Sequence, residues 1–360
     1  MSNFDSSYCY SFPAVRGFQA GRPFYIATCP LRTIPKMFVF DEDEVPPELR
    51  AQRTLNLSRI PEIVKYLVDN PKDYTFSAIT VSVGSEVQFE GYESGSQLGN
   101  LKVPLDAQIL INDGQHRRKA IEEALKQNPD LGSDNIPVLF FVDEGLKKSQ
   151  QMFADLNKYA VKPSPSLSTL YDKRDQSSEA ARILAAEAMP FVGFTEMEKS
   201  SISAKSPKLF TLSSIKQATR SLLGLSTKAA ATTEQTNLAI EFWQSVYNAT
   251  PEWQQIHKKE LSPAAFRQEY IHAHGIGLHA LGFAGNALIE AYPDSWQELI
   301  PKLKEVDWRK SNPIWRNRSM QHNKLSKAST NIQLTANILK QTLGLELSES
   351  DIELEKKIEQ

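Results

Sequence analysis

The pattern of hydrophobic residues changes near residue 177, and this change restricts the chain to a fold in two parts. Before it, short runs of β-forming residues alternate with amphipathic stretches, which is typical of an α/β or α+β domain. After it, almost all hydrophobic residues follow the helical period, with Gly, Pro and Ser clusters between the segments. We therefore predict an α+β fold, with a mixed α/β domain over residues 1–175 and a mainly helical domain over residues 176–348.

The N-terminal part contains five predicted strands and three predicted helices. The strands are FYIATC (24–29), MFVF (37–40), AITVSV (78–83), AQILI (107–111) and PVLFFV (137–142). The helices cover approximately residues 58–70, 114–127 and 146–158. Residues 349–360 form a charged tail that we expect to fray, as chain ends without packed side chains do.

The composition excludes several classes of protein. The formal net charge is −2 and the isoelectric point is about 6.4, so any contact with nucleic acid requires local patches of Lys and Arg. The two cysteines form no CxxC pair or Cys/His spacing, so no metal site is predicted. No apolar run is long enough to span a bilayer and no secretory signal is visible, so we expect a cytoplasmic protein without membrane association. For Cys29, a buried free thiol is favoured over a redox sensor.

The stretch INDGQHRRKAIEEAL (111–125) concentrates polar residues where a predicted strand passes into a helix. Asn112 or Asp113 stands at the position of a helix N-cap, and Gly114 permits a sharp turn. Because a helix start presents unsatisfied N–H groups and a positive dipole end, it suits an anion. The candidate phosphate-binding residues are Asp113, Gly114, Gln115, His116, Arg117 and Arg118.

Arg117 lies on the apolar side of this helix, because Ile121 and Ala124 follow it at helical spacing. A cation there requires an anion, and either Asp113 or a bound phosphate can supply it. His116 is open to two interpretations, an acid/base group or a polar residue of the first turn. The sequence contains no GxSxG, HExxH or Walker motif, and no catalytic residue is predicted.

Two later segments are rich in basic residues and are candidates for binding DNA. Between Trp308 and Leu345 there is no Asp or Glu, so Lys and Arg there create a local positive field that suits phosphates. Trp308 and Trp315 are expected in the core. The other segment alternates lysines with serines before a predicted helix that starts at Thr211 or Ser213 and carries two cations. The candidate DNA-binding residues are Lys199, Lys205, Lys208, Lys216, Arg220, Arg309, Lys310, Arg316, Arg318, Lys324 and Lys327.

Several of these stretches together resemble the DndB family of DNA sulfur modification gene clusters. The stretches are DGQHRRKAI, QQMFADLNKYAVKPSPSLSTLYDKRD (150–175), EKSSISAKSPKLFTLSSIKQA (198–218) and VDWRKSNPIWRNRSM (306–320), and the similarity runs from about residue 50 to residue 348.

This resemblance implies a DNA-binding repressor of its own modification operon, with double-stranded promoter DNA as its partner. It also implies a ParB-like N-terminal domain in which Gly114, His116 and Arg117 occupy a phosphate site. A homo-oligomer is expected because operators are commonly symmetric. The alternative is an NTPase or nuclease that uses residues 113–117, called the DGQHR turn, with a nucleoside triphosphate as the ligand.

Overall fold

The structure is a computed structural model that describes residues 8–38, 57–142, 163–227, 229–322 and 324–358, together with Met152, Asp155 and Leu156. The chain divides into two compact units, residues 1–161 and 162–360. It combines helices with a seven-stranded mixed sheet, which confirms the predicted α+β fold class. Among the residues described, no helix is long and apolar enough to cross a membrane.

The first unit is built on the seven-stranded sheet, whose order is β4-β5-β1-β2-β7-β3-β6. Its strands are β1 (Cys9–Gln19), β2 (Arg22–Pro30), β3 (Ile79–Val83), β4 (Gln88–Gly91), β5 (Leu98–Pro104), β6 (Ile109–Asp113) and β7 (Asn135–Val142). Neighbouring strands are antiparallel except β3 and β7, which run parallel. The mixed sheet therefore places the carboxyl end of β6 at an edge, where the chain turns into a helix.

Helices of the first unit pack on the sheet through residues spaced three or four apart. They are α1 (Ile34–Met37), α2 (Ile60–Asp69) and α3 (Gln115–Gln127), with 3-10 turns at Leu31–Thr33, Leu57–Arg59 and Pro129–Ser133. Helix α2 buries Ile60, Val64 and Leu67, and these side chains share one core with the inner face of the sheet. The amphipathic pattern of residues 58–70 is thus explained by burial of one stripe.

Most predicted elements of the first unit are confirmed. Strands 24–29, 78–83, 107–111 and 137–142 correspond to β2, β3, β6 and β7. The predicted strand at 37–40 is wrong at its described residues, because Met37 ends the short helix α1, which begins at Ile34 and has Pro35 in its first turn. The predicted helix at 146–158 lies outside the described residues, apart from Met152, Asp155 and Leu156.

The second unit is mainly helical. Its helices are α4 (Pro165–Tyr171), α5 (Glu179–Glu187), α6 (Leu212–Leu222), α7 (Thr233–Asn248), α8 (Pro251–His257), α9 (Pro263–Glu269), α10 (Gly275–Ala291), α11 (Trp296–Leu299), α12 (Ser329–Leu343) and α13 (Glu349–Lys356). Its 3-10 turns are Gln176–Ser178, Ile300–Glu305 and Pro313–Trp315, and its short strands are β8 (Thr195–Glu196), β9 (Phe210–Thr211), β10 (Met320–Gln321) and β11 (Lys324–Leu325).

Helix α10 packs between α6 and α12 in the centre of this unit. A Cβ atom on Gly282 would lie 2.4 Å from the carbonyl oxygen of Ala218, so only glycine allows α10 and α6 to approach this closely. Trp308 and Trp315 are buried with their rings stacked 5.7 Å apart, which confirms that both belong to the core.

A helix covers Glu349–Lys356 of the charged tail, so the expectation that the tail frays is wrong for these residues. Helix α13 begins with a capping box between Ser348 and Asp351. Asp351 is buried. It accepts one hydrogen bond from Lys340 Nζ at 2.7 Å and another from Gln333 Nε2 at 2.8 Å. Burial raises the pKa of Asp351, but the hydrogen bonds from Lys340, Ser348 and Gln333 outweigh it and hold the pKa below its usual range.

We predict that Asp351→Asn destabilises the second unit, because it leaves the largely buried Lys340 ammonium without a counter-charge. The expected loss in the free energy of unfolding is about 3 kcal/mol at neutral pH. The loss should shrink as the pH falls below about 3.9, where the unfolded chain takes up the proton first, and should vanish once the pH has fallen through the lowered pKa of Asp351 in the folded state. Urea unfolding monitored by tryptophan fluorescence tests this, because all five tryptophans lie in the second unit.

The matched control is Glu349→Gln, an exposed carboxylate in the first turn of the same helix. If Asp351→Asn and Glu349→Gln have equally small effects, the tail contributes nothing through this ion pair.

Candidate nucleic-acid interface

The DGQHR turn joins β6 to α3 through Gly114. Gly114 has φ +106° and is itself the N-cap residue, with no side-chain cap, so the predicted capping by Asn112 or Asp113 is wrong. A Cβ atom here would lie 3.0 Å from Ile79 Cγ1 and 3.1 Å from Arg117 Nη2. Glycine is therefore required both by the left-handed backbone and by the space beside the guanidinium.

Arg117 is held by its own turn. Its Nη2 donates to Asp113 Oδ2 at 2.6 Å and to the Ala78 carbonyl oxygen at 3.0 Å. Of the two anions considered from the sequence, Asp113 is thus present as a partner. The Nε atom of Arg117 is buried and has no hydrogen-bond partner among the described residues.

The neighbouring polar side chains of the turn are also engaged in local contacts. Arg118 donates to Glu122 at 2.5 Å and to the Pro35 carbonyl oxygen at 3.2 Å. Gln115 donates to the Ile111 carbonyl oxygen at 3.3 Å. The buried Asn112 donates to Ser82 Oγ at 2.7 Å. These contacts tie α3 to β6 and α1, and β6 to β3.

His116 is partly buried beside two cations. Burial lowers its pKa most, Arg59 and Arg117 lower it further, and Asp113 opposes them. The imidazole is therefore neutral at physiological pH, with one ring nitrogen as a hydrogen-bond donor and the other as an acceptor.

The second unit contains a cleft of about 580 Å³ that we call the basic cleft. Three segments contribute to its lining: residues 200–214, residues 264–275, and residues 308–345, which contain no Asp or Glu and are called the acid-free segment. The last contributes two lysines. Its cations are Arg267, Lys310 and Lys327. Its hydroxyl groups are those of Ser200, Ser201, Thr211 and Ser214. The fold thus brings both of the basic segments found in the sequence to one place.

Arg267 fixes the shape of the basic cleft. Its buried guanidinium donates to the carbonyl oxygens of Ser203 at 3.2 Å, Ala204 at 2.9 Å and Ser206 at 2.7 Å, and also to that of Lys208. These four hydrogen bonds to one guanidinium hold residues 203–208, called the serine-rich loop, in a single conformation.

The backbone carbonyl of Arg267 joins two further groups of the cleft. It accepts from His274 Nε2 at 2.8 Å and from Lys310 Nζ at 2.5 Å. Because a carbonyl can only accept, the proton of the neutral imidazole is on Nε2 and His274 Nδ1 is a hydrogen-bond acceptor.

The electrostatic character of the basic cleft is positive. No Asp or Glu is among its lining residues. Burial lowers the pKa of Lys310. For His274, burial together with the charges of Lys310, Arg267 and Lys327 lowers the pKa to about 4, although its hydrogen bond to the Arg267 carbonyl opposes the shift. The three cations that oppose a further positive charge on His274 favour an anion in the same place.

Some of the candidate DNA-binding cations are already paired within the protein. Arg309 makes two hydrogen bonds to Asp307, one residue before the acid-free segment, and Arg318 contacts Glu355 of α13 at 2.5 Å. Lys216 contacts Asp175 at 2.5 Å. The helix predicted from Thr211 or Ser213 is α6, and Thr211 caps it.

Other candidates are held by uncharged groups or lie exposed. Arg220 donates to the Ser226 carbonyl oxygen and to Thr227, and Lys208 donates to the Gly193 carbonyl oxygen at 2.8 Å. Among the described residues, five of the candidates are exposed and their side chains form no hydrogen bond or ion pair: Lys199, Lys205, Arg316, Lys324 and Lys327.

The sequence did not single out Arg267. The feature that could have indicated it is its position directly after Phe266, on the buried side of a short helix. Burying a cation there is costly unless hydrogen-bond acceptors surround it. The acceptors are carbonyls some 60 residues earlier in the chain, and no sequence pattern indicates them.

Cys29 is fully buried in β2, and burial raises its pKa to about 12. The thiol is therefore protonated at physiological pH and not nucleophilic. This agrees with the interpretation of Cys29 as a buried core residue.

A family model described as DndB, DNA-sulfur modification-associated, matches residues 12–346. The matched span includes both the DGQHR turn and the basic cleft, and it begins earlier than the motifs recognised in the sequence. No curated protein and no solved structure matches the chain. Since the model covers nearly the whole sequence, the chain belongs to the DndB family of DNA-sulfur modification-associated proteins.

Proposed function

We propose that this protein is a DNA-binding transcriptional repressor of the DNA phosphorothioate modification genes that it accompanies. The observation that carries the proposal is the basic cleft, where two basic segments meet without a carboxylate in a family associated with DNA sulfur modification. Lysines and hydroxyl groups side by side suit the oxygens of DNA phosphates.

The DNA contacts are assigned to the cations that the protein leaves exposed. Lys199 and Lys205 are next in sequence to Ser200 and Ala204, which line the cleft, and Lys327 lines it directly. Each can displace counterions from a phosphate because no described carboxylate neutralises it. The cations paired with Asp307, Glu355 and Asp175 contribute less, since binding DNA would require breaking an existing ion pair.

For the first unit we propose a ParB-like arrangement in which the DGQHR turn is structural. The turn has a Gly-x-x-Arg pattern at a helix start, with Gly114 at the left-handed position and Arg117 three residues later. Because Arg117 is bound to Asp113 and Ala78, we assign it the role of holding α3 on β3, and repression needs no nucleotide. The partner is double-stranded promoter DNA, contacted by a homo-oligomer of this chain on a symmetric operator.

We predict that the protein binds DNA from its own promoter with strong salt dependence, and that Lys199→Ala/Lys205→Ala weakens this binding. Loss of two phosphate contacts should reduce the slope of log affinity against log salt by about 1.8. Fluorescence anisotropy at several salt concentrations measures both quantities. The control is Lys258→Ala/Lys304→Ala, which removes two exposed lysines that do not line the cleft and changes the net charge equally.

Equal weakening by the two double variants would show that only overall charge matters. Absence of salt-sensitive binding to the promoter by the wild type would remove the repressor proposal altogether.

A further prediction concerns the DGQHR turn. Arg117→Ala should lower the stability of the first unit by about 2 kcal/mol, because it breaks charge-assisted hydrogen bonds to Asp113 and Ala78. Promoter affinity should be the same with and without ATP or CTP. Thermal unfolding followed by circular dichroism and anisotropy with added nucleotide measure these effects, with Lys126→Gln on the exposed end of α3 as the control.

A promoter affinity that depends on ATP or CTP in the wild type, and loses that dependence in Arg117→Ala, would instead establish a nucleotide site at the turn. The protein would then be a nucleotide-dependent switch or an NTPase.

A further inference from the structure

We propose that the interior of the basic cleft binds a small phosphate monoester of nucleotide size. This inference goes beyond the proposed repressor function and does not depend on it, because Arg267 and Lys310 take no part in the proposed DNA contacts and only Lys327 is shared with them.

The size of the basic cleft suits a small molecule. Its volume of about 580 Å³ falls in the range of ordinary ligand pockets. A concave site of this size encloses a small ligand on several sides, whereas a DNA duplex presents its phosphates on a broad convex surface.

The charge of the cleft matches a terminal phosphate. Arg267, Lys310 and Lys327 contribute three positive charges to the lining, and no lining carboxylate offsets them. The carbonyls around Arg267 occupy its N–H donors but leave its charge uncompensated. A phosphate monoester carries a charge of about −1.5 to −2 at neutral pH, whereas a backbone phosphodiester carries only one. The dianion is therefore the better match.

Hydrogen-bond donors remain for the oxygens of the phosphate. Lys310 Nζ has three protons, and one is directed to the Arg267 carbonyl. The hydroxyls of Ser200 and Ser201 have no partner among the described residues. Helix α10, which has 17 residues, begins at the cleft with Gly275, and no side chain caps it. These groups give the lining of the cleft several donors for phosphate oxygens.

The rest of the lining suits the body of such a ligand. Ile202, Phe210, Ala264 and Ala273 supply apolar surface for a flat organic group. His274 is neutral, and its Nε2 proton is committed to Arg267, so the ring offers Nδ1 as an acceptor. An amino or hydroxyl group on the ligand is the complementary donor.

Isothermal titration calorimetry of the full chain with AMP, adenosine and inorganic phosphate tests the proposal. We expect saturable binding of one AMP per chain, with adenosine weaker by about tenfold or more because it lacks the charged contacts. Inorganic phosphate should bind more weakly than AMP and compete with it, since it fills only the cationic end.

The variants locate the site. Lys310→Met should weaken AMP binding by about tenfold, which corresponds to the loss of one charge-assisted hydrogen bond. Because Lys310 is partly buried, the exposed Lys327→Ala serves as a second variant that leaves the fold unchanged and should also weaken binding. Lys304→Met, an exposed lysine outside the cleft, should bind AMP like the wild type.

Four results would overturn the proposal. The first is no saturable binding of AMP at millimolar concentrations, and the second is an AMP affinity that is unchanged in both cleft variants. The third is equal affinity for AMP and inorganic phosphate. The fourth is displacement of AMP by promoter DNA together with loss of both ligands in Lys310→Met, which would place a DNA backbone phosphate in the cleft. Promoter affinity of the wild type without AMP is a separate measurement, so failure of the repressor role is recognised independently.

Discussion

The basic cleft depends on a single arginine that uses both its side chain and its backbone. The Arg267 guanidinium binds four carbonyls of the loop at 203–208, and the Arg267 carbonyl accepts from His274 and Lys310. Three segments distant in sequence are therefore tied to one residue. Arg267 therefore links the serine-rich loop, through its guanidinium, to Lys310 of the acid-free segment, through its carbonyl. A buried cation satisfied by carbonyls keeps its charge, so the contact that shapes the cleft also makes it positive.

Positive charge in the second unit falls into two classes that sequence composition cannot separate. Arg309, Arg318 and Lys216 meet carboxylates and act as structural ion pairs. Lys310 donates a hydrogen bond to a carbonyl, and Lys327 has no partner among the described residues. Neither charge is neutralised by a described carboxylate, so both can attract an external anion. The partners of the first class are near in one case and far in the others: Asp307 is two residues before Arg309, but Glu355 is 37 residues after Arg318. Counting charges along a window therefore overestimates the free positive field.

Much of the fold was predictable, and the exceptions have physical causes. Strands β2, β3, β6 and β7 follow from β-branched and aromatic runs, and the helices of the second unit follow from their period. Strand β1 was not recognised because Pro13 and Gly17 interrupt its pattern, and β4 and β5 because their polar and glycine residues weaken theirs. At the candidate sites, the sequence identified the DGQHR turn and the basic segments. It could not identify Arg267 or the ion pairs of Lys216 and Arg318, because these depend on contacts between residues far apart in the chain.

The ordered tail has a consequence for how the boundaries of this protein are drawn. The family match ends at residue 346, whereas Asp351 and Glu355, which follow it, neutralise Lys340 and Arg318. The last helix thus supplies the counter-charges of two cations that lie inside the family match. A chain cut at residue 346 would keep Lys340 and Arg318 but lose their carboxylates, so it would carry a more positive net charge and a largely buried, unpaired ammonium. The boundary of the folded unit therefore lies beyond the end of the family match.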